Sequence, residues 1–310
     1  LLEGEQITCV TPAINASWLN STTTVEASLN GQQFTSDGLT FAYVFAPVIA
    51  AAVPPSGPTA GGTEVVVSVT SEFAPTWYCR FGDTTVVAGN NSGDVVACIT
   101  PNVSVPEGVE LALSLNGQQF SNSLAFEFYA APASLAITPT KGPTTGATNV
   151  TVAGSGLAEG TDYQCRFGSD TVPATLQNTS DVLLCTSPSV STAAAAAFEV
   201  SLNAQQFSSG GLQYTFYAPP STESVDPTSG PVAGGATISI AGNDFAGDTS
   251  EARARIALPS GERLEQPISS DGSFVAPATD TACNASLALS LNGQQFDSVP
   301  ANLVFYEEPR

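Results

Sequence analysis

Histidine and methionine are absent from this sequence, lysine occurs once (Lys141), and seven basic residues face 28 acidic ones. Each shortage removes a class of function. Without histidine there is no Ser-His-Asp or Cys-His relay and no mixed Cys/His zinc site. A formal net charge of −21 repels phosphate backbones and anionic headgroups, so nucleic acid is not an expected partner. No apolar run approaches the roughly 18 residues that cross a bilayer as a helix, so no membrane insertion is expected within this segment. Leu1-Leu2-Glu3 lacks the charged start of a signal peptide.

The acidic residues are scattered singly, which does not suit a glycosidase carboxylate pair. The densest group, Asp244, Asp248 and Glu251, follows Gly242 without EF-hand spacing, so a solvated loop is expected there rather than a calcium site. No catalytic residue, cofactor or metal is expected.

What the chain does have is repetition. Ser-Leu-Asn-Gly-Gln-Gln-Phe stands at Ser28–Phe34, Ser114–Phe120 and Ser290–Phe296, with Ala204 replacing the glycine at Ser201–Phe207. A Gly-Pro phrase opens three units, at Pro54, Pro139 and Pro227. Between the phrases lie Tyr78-Cys79-Arg80-Phe81-Gly82 and Tyr163-Gln164-Cys165-Arg166-Phe167-Gly168, followed by Cys98-Ile99-Thr100-Pro101 and Cys185-Thr186-Ser187-Pro188. The expected units are 48–132, 133–220 and a divergent 221–310. Residues 1–47 hold only the later half of the pattern, beginning near Cys9-Val10-Thr11-Pro12, so the segment is expected to start within a unit of a longer protein.

Within each unit the apolar period is two, which predicts half-buried strands. Val109, Leu111, Leu113 and Leu115 alternate with polar or small residues and run into Asn116-Gly117. That pair predicts a type I′ two-residue hairpin turn. Ala204 would cost around 1 kcal/mol if held left-handed, so the third hairpin is expected to strain or to turn differently. Leu124, Phe126 and Phe128, with Leu39, Phe41, Tyr43 and Leu212, Tyr214, Phe216, predict a buried aromatic face. Val65/Val67, Val150/Val152 and Ile238/Ile240 give another alternating strand near each unit's start. Short strands punctuated by Gly, Pro and Asn over about 87 residues predict an all-β Greek-key sandwich.

The Gly-Pro opening, the Tyr-Cys-Arg-Phe-Gly centre and the Ser-Leu-Asn-Gly-Gln-Gln-Phe hairpin resemble IPT/TIG domains, the immunoglobulin-like modules of plexins and related surface proteins. The resemblance covers nearly the whole chain and implies tandem sandwich repeats arranged as an extended rod. Cys79 with Cys98 and Cys165 with Cys185 then read as intradomain disulfides, each closing a loop of about 20 residues and contributing roughly 3 kcal/mol. Cys9 and Cys283 are left as unpaired or intermolecular candidates. In the fourth unit Ala254 and Phe274 stand roughly where cysteines stand elsewhere, and Arg253, Arg255 and Arg263 make that unit look chemically distinct. Trp77 is expected to pack in or beside the core, with Trp18 read similarly.

Asn15, Asn20, Asn90, Asn102, Asn149, Asn178 and Asn284 each begin an Asn-x-Ser/Thr sequon, seven of fifteen asparagines. That frequency points to the secretory route and to N-linked glycans. The expected localisation is extracellular, at a cell surface. The resemblance implies a non-catalytic structural or adhesive array, such as a glycosylated fibre, algal flagellar hair or cell coat, whose partners are other copies or repeats of the same protein. The second reading is a plexin-like receptor ectodomain binding a protein or glycan ligand, and a third is an accessory module beside a glycosidase.

Overall fold

The structure is a computed structural model of all 310 residues and describes residues 2–3, 6–15, 21–70, 76–177, 181–243 and 249–308. The chain divides into two compact units. The first comprises Leu1–Pro55, Glu64–Pro101 and Gly108–Phe126, and the second comprises Ser56–Thr63, Asn102–Glu107 and Glu127–Arg310.

In the first unit the alternation Glu64–Thr70, with Val65, Val67 and Val69 buried, makes a strand with one face inward. It pairs antiparallel with Val48–Val53 on one side and Val95–Ile99 on the other. A second layer places Tyr78–Phe81 between Thr84–Val87 and Glu107–Ser114. Cys79 and Cys98 lie on these different layers, fully buried and bonded, with Cα atoms 6.0 Å apart. Phe81 meets Phe126 edge to face at 5.2 Å, and Trp77 is buried beside them in sequence. The strand pair Ser21–Thr24 and Thr40–Tyr43 differs from the expected buried aromatic face. Leu39 is 66% exposed and Phe41 37%, because no second layer covers that pair among the described residues.

In the second unit the third repeat forms an eight-stranded sheet in the order Ala133–Thr138, Asn149–Ser155, Val182–Thr186, Asp170–Leu176, Gln164–Phe167, Ala195–Ser201, Leu212–Tyr217, Lys141–Pro143. Asp170–Leu176 serves both halves: its start pairs with Gln164–Phe167 and its end with Val182–Thr186. The sheet thus folds back on itself around Phe167, Phe198, Tyr214 and the bonded pair Cys165–Cys185. Ala195–Ala197, within a run of alanines, pair in register with Gln213–Thr215. Within the Gly-Pro phrase Lys141–Pro143 is strand: around cis Pro139 the chain leaves Asn149–Ser155 and pairs parallel with Leu212–Tyr217.

The fourth repeat has the same plan in two sheets. One orders Ser221–Asp226, Thr237–Asn243 and Ser273–Val275, the other Ser229–Pro231, Asp297–Tyr306, Cys283–Ser290, Arg253–Ala257 and Arg263–Pro267. Register identifies the substituted cysteines. Cys79 opposes Leu113 and Cys165 opposes Val200, each one residue before the repeated serine, and Ala254 opposes Leu289. Cys98 opposes Val65, Cys185 opposes Val150, and Phe274 opposes Ile238. A small and a large apolar residue, both buried in one cluster, occupy the disulfide's positions.

Candidate functional site

The four copies of the hairpin phrase fold into one local structure. In the second repeat Ser114 Oγ accepts from the backbone N–H of Asn116 (3.2 Å) and Gly117 (2.9 Å). Asn116 Oδ1 accepts from the N–H of Gln118 (2.9 Å) and Gln119 (3.1 Å), and its Nδ2 donates to Gln119 Oε1 at 2.6 Å. The closing pair is Ser121 N–H to Leu113 O at 2.8 Å, so the loop spans seven residues. This corrects the expected type I′ turn. Gly117 lies at φ 74° while Asn116 is not left-handed, because side-chain oxygens of Ser114 and Asn116 take the turn's amides. Ala204 at φ 60° adopts the same turn, so the third hairpin carries the strain rather than avoiding it.

In the second, third and fourth repeats the phenylalanine ending the phrase lies under the arginine at the centre of its own repeat. Arg80 stands 3.9 Å from the Phe120 ring centroid, Arg166 4.1 Å from Phe207 and Arg255 3.4 Å from Phe296. Arg166 also pairs with Glu199, its cross-strand neighbour, and Arg255 with Glu265. Arg255 therefore occupies the position of Arg80 and Arg166, and the fourth repeat is less distinct than its arginine cluster suggests.

In the second unit the polar face of the hairpin meets a neighbouring repeat. Asn203 Nδ2 donates to Thr63 Oγ1 at 3.2 Å, Thr63 Oγ1 donates to Gln206 Oε1 at 2.9 Å, and Gln206 Nε2 donates to Gly62 O at 3.0 Å. The next joint repeats the pattern: Asn292 Nδ2 to Thr148 Oγ1 (3.1 Å), Thr148 Oγ1 to Gln295 Oε1 (2.9 Å), and Gln295 Nε2 to Ala147 O (2.8 Å). Gln294 adds a two-way bond, accepting from Asn149 N–H and donating to Asn149 O, both at 2.8 Å. Thr63 and Thr148 are fully buried, Asn203 and Asn292 nearly so. A buried hydroxyl or amide must find partners, and here each finds them across the joint.

Family membership follows from the sequence phrases just located in space. Residues 47–128, 132–216 and 220–305 each match the IPT/TIG domain. The chain belongs to the IPT/TIG domain family. Its IPT/TIG repeats are similar in structure to the plexin A4 extracellular region, at 18% identity and TM-score 0.48 over 85% of this chain. This chain spans about a quarter of that one, 24%. Similar too are the FdeC adhesin of Escherichia coli (14% identity, TM-score 0.27, 85% of this chain and 96% of that one) and the Bacteroides ovatus SGBP-B in complex with a mixed-linkage heptasaccharide (11%, 0.27, 82% and 65%).

The remaining candidates are dispersed over the IPT/TIG repeats. Cys9 is exposed and Cys283 half-buried, both as free thiols. Asn15, Asn90, Asn102, Asn149 and Asn284 are exposed, with Asn102 Nδ2 donating to Ala60 O and Asn149 Oδ1 accepting from Thr186 Oγ1. Asn20, Asn178, Trp18, Asp244 and Asp248 lie outside the described residues. The Glu251 carboxylate accepts from Thr140 N–H at 3.2 and 3.3 Å, a second tie between the third and fourth repeats. Among the described residues no group of three His, Cys, Asp or Glu is placed to hold a metal, and no helix is long and apolar enough to cross a membrane.

Sequence reading missed Thr63, Thr148 and the two glutamines as partners. The signal was present: an Asn-Gly turn needs no Gln-Gln after it, yet the chain carries that pair four times.

Proposed function

We propose that this chain is a non-catalytic stretch of an extracellular, cell-surface array whose IPT/TIG repeats are joined by the hairpin acting as a clasp. The observation that carries this reading is the recurrence of the joint: the hairpin of the third repeat on Gly62-Thr63, and that of the fourth on Ala147-Thr148. An array that bears load or presents a surface requires repeats in a fixed relation to their neighbours. A buried neutral network supplies that without depending on pH or salt.

The repeat limits 1–47, 48–132, 133–220 and 221–310, the rod-like arrangement and the seven N-linked glycans belong to this proposal. So do other copies of the same protein as partners, in a structural fibre or coat such as an algal flagellar hair. Electron microscopy of the native assembly with antibodies to this chain tests it. Labelled filaments outside intact cells are expected. Dispersed single molecules on the membrane would instead favour a receptor ectodomain with a protein or glycan ligand.

A further inference from the structure

We propose that Thr84–Val87, on the free edge of the second repeat, is a docking site for an extended peptide strand of another protein, one that sets an acidic side chain opposite Thr85 to answer Arg80. The site is separate from the clasp, and none of its residues lies in a joint.

Thr84–Val87 is the outermost strand of its sheet and, among the described residues, pairs only with Tyr78–Phe81. Thr85 is exposed and Val87 is 62% exposed. Ala88 N–H donates to Trp77 O at 2.9 Å, so residues 77 and 88 form a hydrogen-bonded pair. The alternation of an antiparallel ladder then turns the N–H and C=O of Val87 and Thr85 away from the sheet, toward an incoming strand. Past Val87 the chain crosses to the other layer, where Gly89 N–H donates to Ala97 O and Asn90 O accepts from Ala97 N–H. The free edge ends there, and the sequon asparagine Asn90 lies beyond it.

The third and fourth repeats close this position. Pro173 opposes Gln164 and Pro267 opposes Arg253, as Val87 opposes Tyr78. The ladder bond beside it recurs, from Ala174 N–H to Tyr163 O (2.9 Å) and from Ile268 N–H to Ala252 O (3.2 Å). Each proline therefore stands where an N–H would point outward, which blunts an edge against strand addition. Only the second of these three repeats offers the donor.

Arg80 departs from its counterparts at the same edge. Arg166 is paired with Glu199 and Arg255 with Glu265, each directly across a strand. The residues across from Arg80 are Ala112 and Thr85, and among the described residues it stacks on Phe120 without an ion pair. Glu265 holds the place of Thr85 in the fourth repeat, so an arginine here reaches a carboxylate on the edge strand. A glutamate opposite Thr85 on an added strand stands on the same face, about 4.8 Å further out, with only the short threonine between. The backbone edge selects an extended strand, as in other strand-addition sites, and Arg80 selects its acid. A second copy paired through the same edge brings a further −21 and sets Thr85 or Val87, not a carboxylate, opposite Thr85.

Titration of the full chain to millimolar concentrations of the end-blocked peptide Thr-Val-Thr-Glu-Thr tests the proposal. Antiparallel pairing sets its valine opposite Val87 and its glutamate opposite Thr85. Expected are one peptide bound per chain, slower amide exchange at Thr85 and Val87, and loss of both in Val87→Pro. Arg80→Gln should weaken binding about two- to fivefold, the range of an exposed ion pair. Glutamine in place of the peptide's glutamate should cost the same factor on the natural chain and nothing on R80Q. Pro173→Val should open a second site, raising the stoichiometry to two while the first site stands. Absence of binding to the natural chain, binding unchanged by V87P, or equal affinity of the two peptides for the natural chain overturns the proposal. So does a dimer of the chain alone that V87P abolishes, which assigns the edge to a second copy.

Discussion

Replacing Thr148 by valine tests the clasp with the least disturbance, because the two side chains have nearly the same volume. The Thr148 hydroxyl is fully buried, donates to Gln295 Oε1 and accepts from Asn292 Nδ2. Valine removes both bonds. Asn292 Nδ2 and Gln295 Oε1 still reach each other, so neither is wholly orphaned, and the loss falls at about 1–2 kcal/mol rather than the upper end for a stranded buried group. The Thr148 backbone N–H keeps its bond to Ser187 Oγ, so the loop itself holds. The readout is the Asn149 amide, whose N–H donates to Gln294 Oε1 across the joint. Its exchange should quicken about 5–30-fold, while amides of the core strand Gln164–Phe167 exchange at their original rates. Unchanged Asn149 protection would refute the reasoning, and acceleration throughout the third repeat would show that Thr148 supports the domain rather than the joint.

Ala204→Gly should stabilise the chain by about 0.5–1 kcal/mol, read by chemical denaturation, because alanine is held at φ 60° where glycine is unstrained. Arg166→Lys should cost about 1 kcal/mol, since lysine cannot stack on Phe207 and reach Glu199 with a planar fork. Reduction should destabilise the repeats held by Cys79–Cys98 and Cys165–Cys185 by about 2–5 kcal/mol each, and leave the fourth, with Ala254 and Phe274 at those positions, unaffected. Spectrophotometric titration should show Tyr129, Tyr163, Tyr214 and Tyr217 ionising later than ordinary phenols, because burial disfavours the phenolate. Their folded values are raised, so that contribution to stability is fully present below about pH 10 and is lost as pH rises toward the folded values.

The strands were legible because period-two alternation records directly which face is buried, as at Val65, Val67 and Val69. Membership of an IPT/TIG family was legible because Tyr-Cys-Arg-Phe-Gly and the hairpin phrase are specific to it. The turn was misread, since Asn116-Gly117 predicts backbone geometry while the outcome depended on the side-chain oxygens of Ser114 and Asn116 taking the turn's amides. Arg255 was hidden because Ala254 and Ile256 replace the cysteine and phenylalanine that mark its counterparts. The repeated Gln-Gln marked one side of the joint, but its partner on the neighbouring repeat was not legible. Thr63 and Gln206 are 143 residues apart, and neither belongs to an apolar pattern or a known chemical motif. Only the fold brings a loop of one repeat to the hairpin of the next.

A double-mutant cycle on Thr63→Val and Gln206→Ala tests the central claim that the repeated hairpin is a clasp between repeats. Equilibrium unfolding of the full chain and its three variants gives the coupling energy. The account predicts coupling of about 0.5–3 kcal/mol, as for residues in one hydrogen-bond network. Strict additivity of the two substitutions would contradict it.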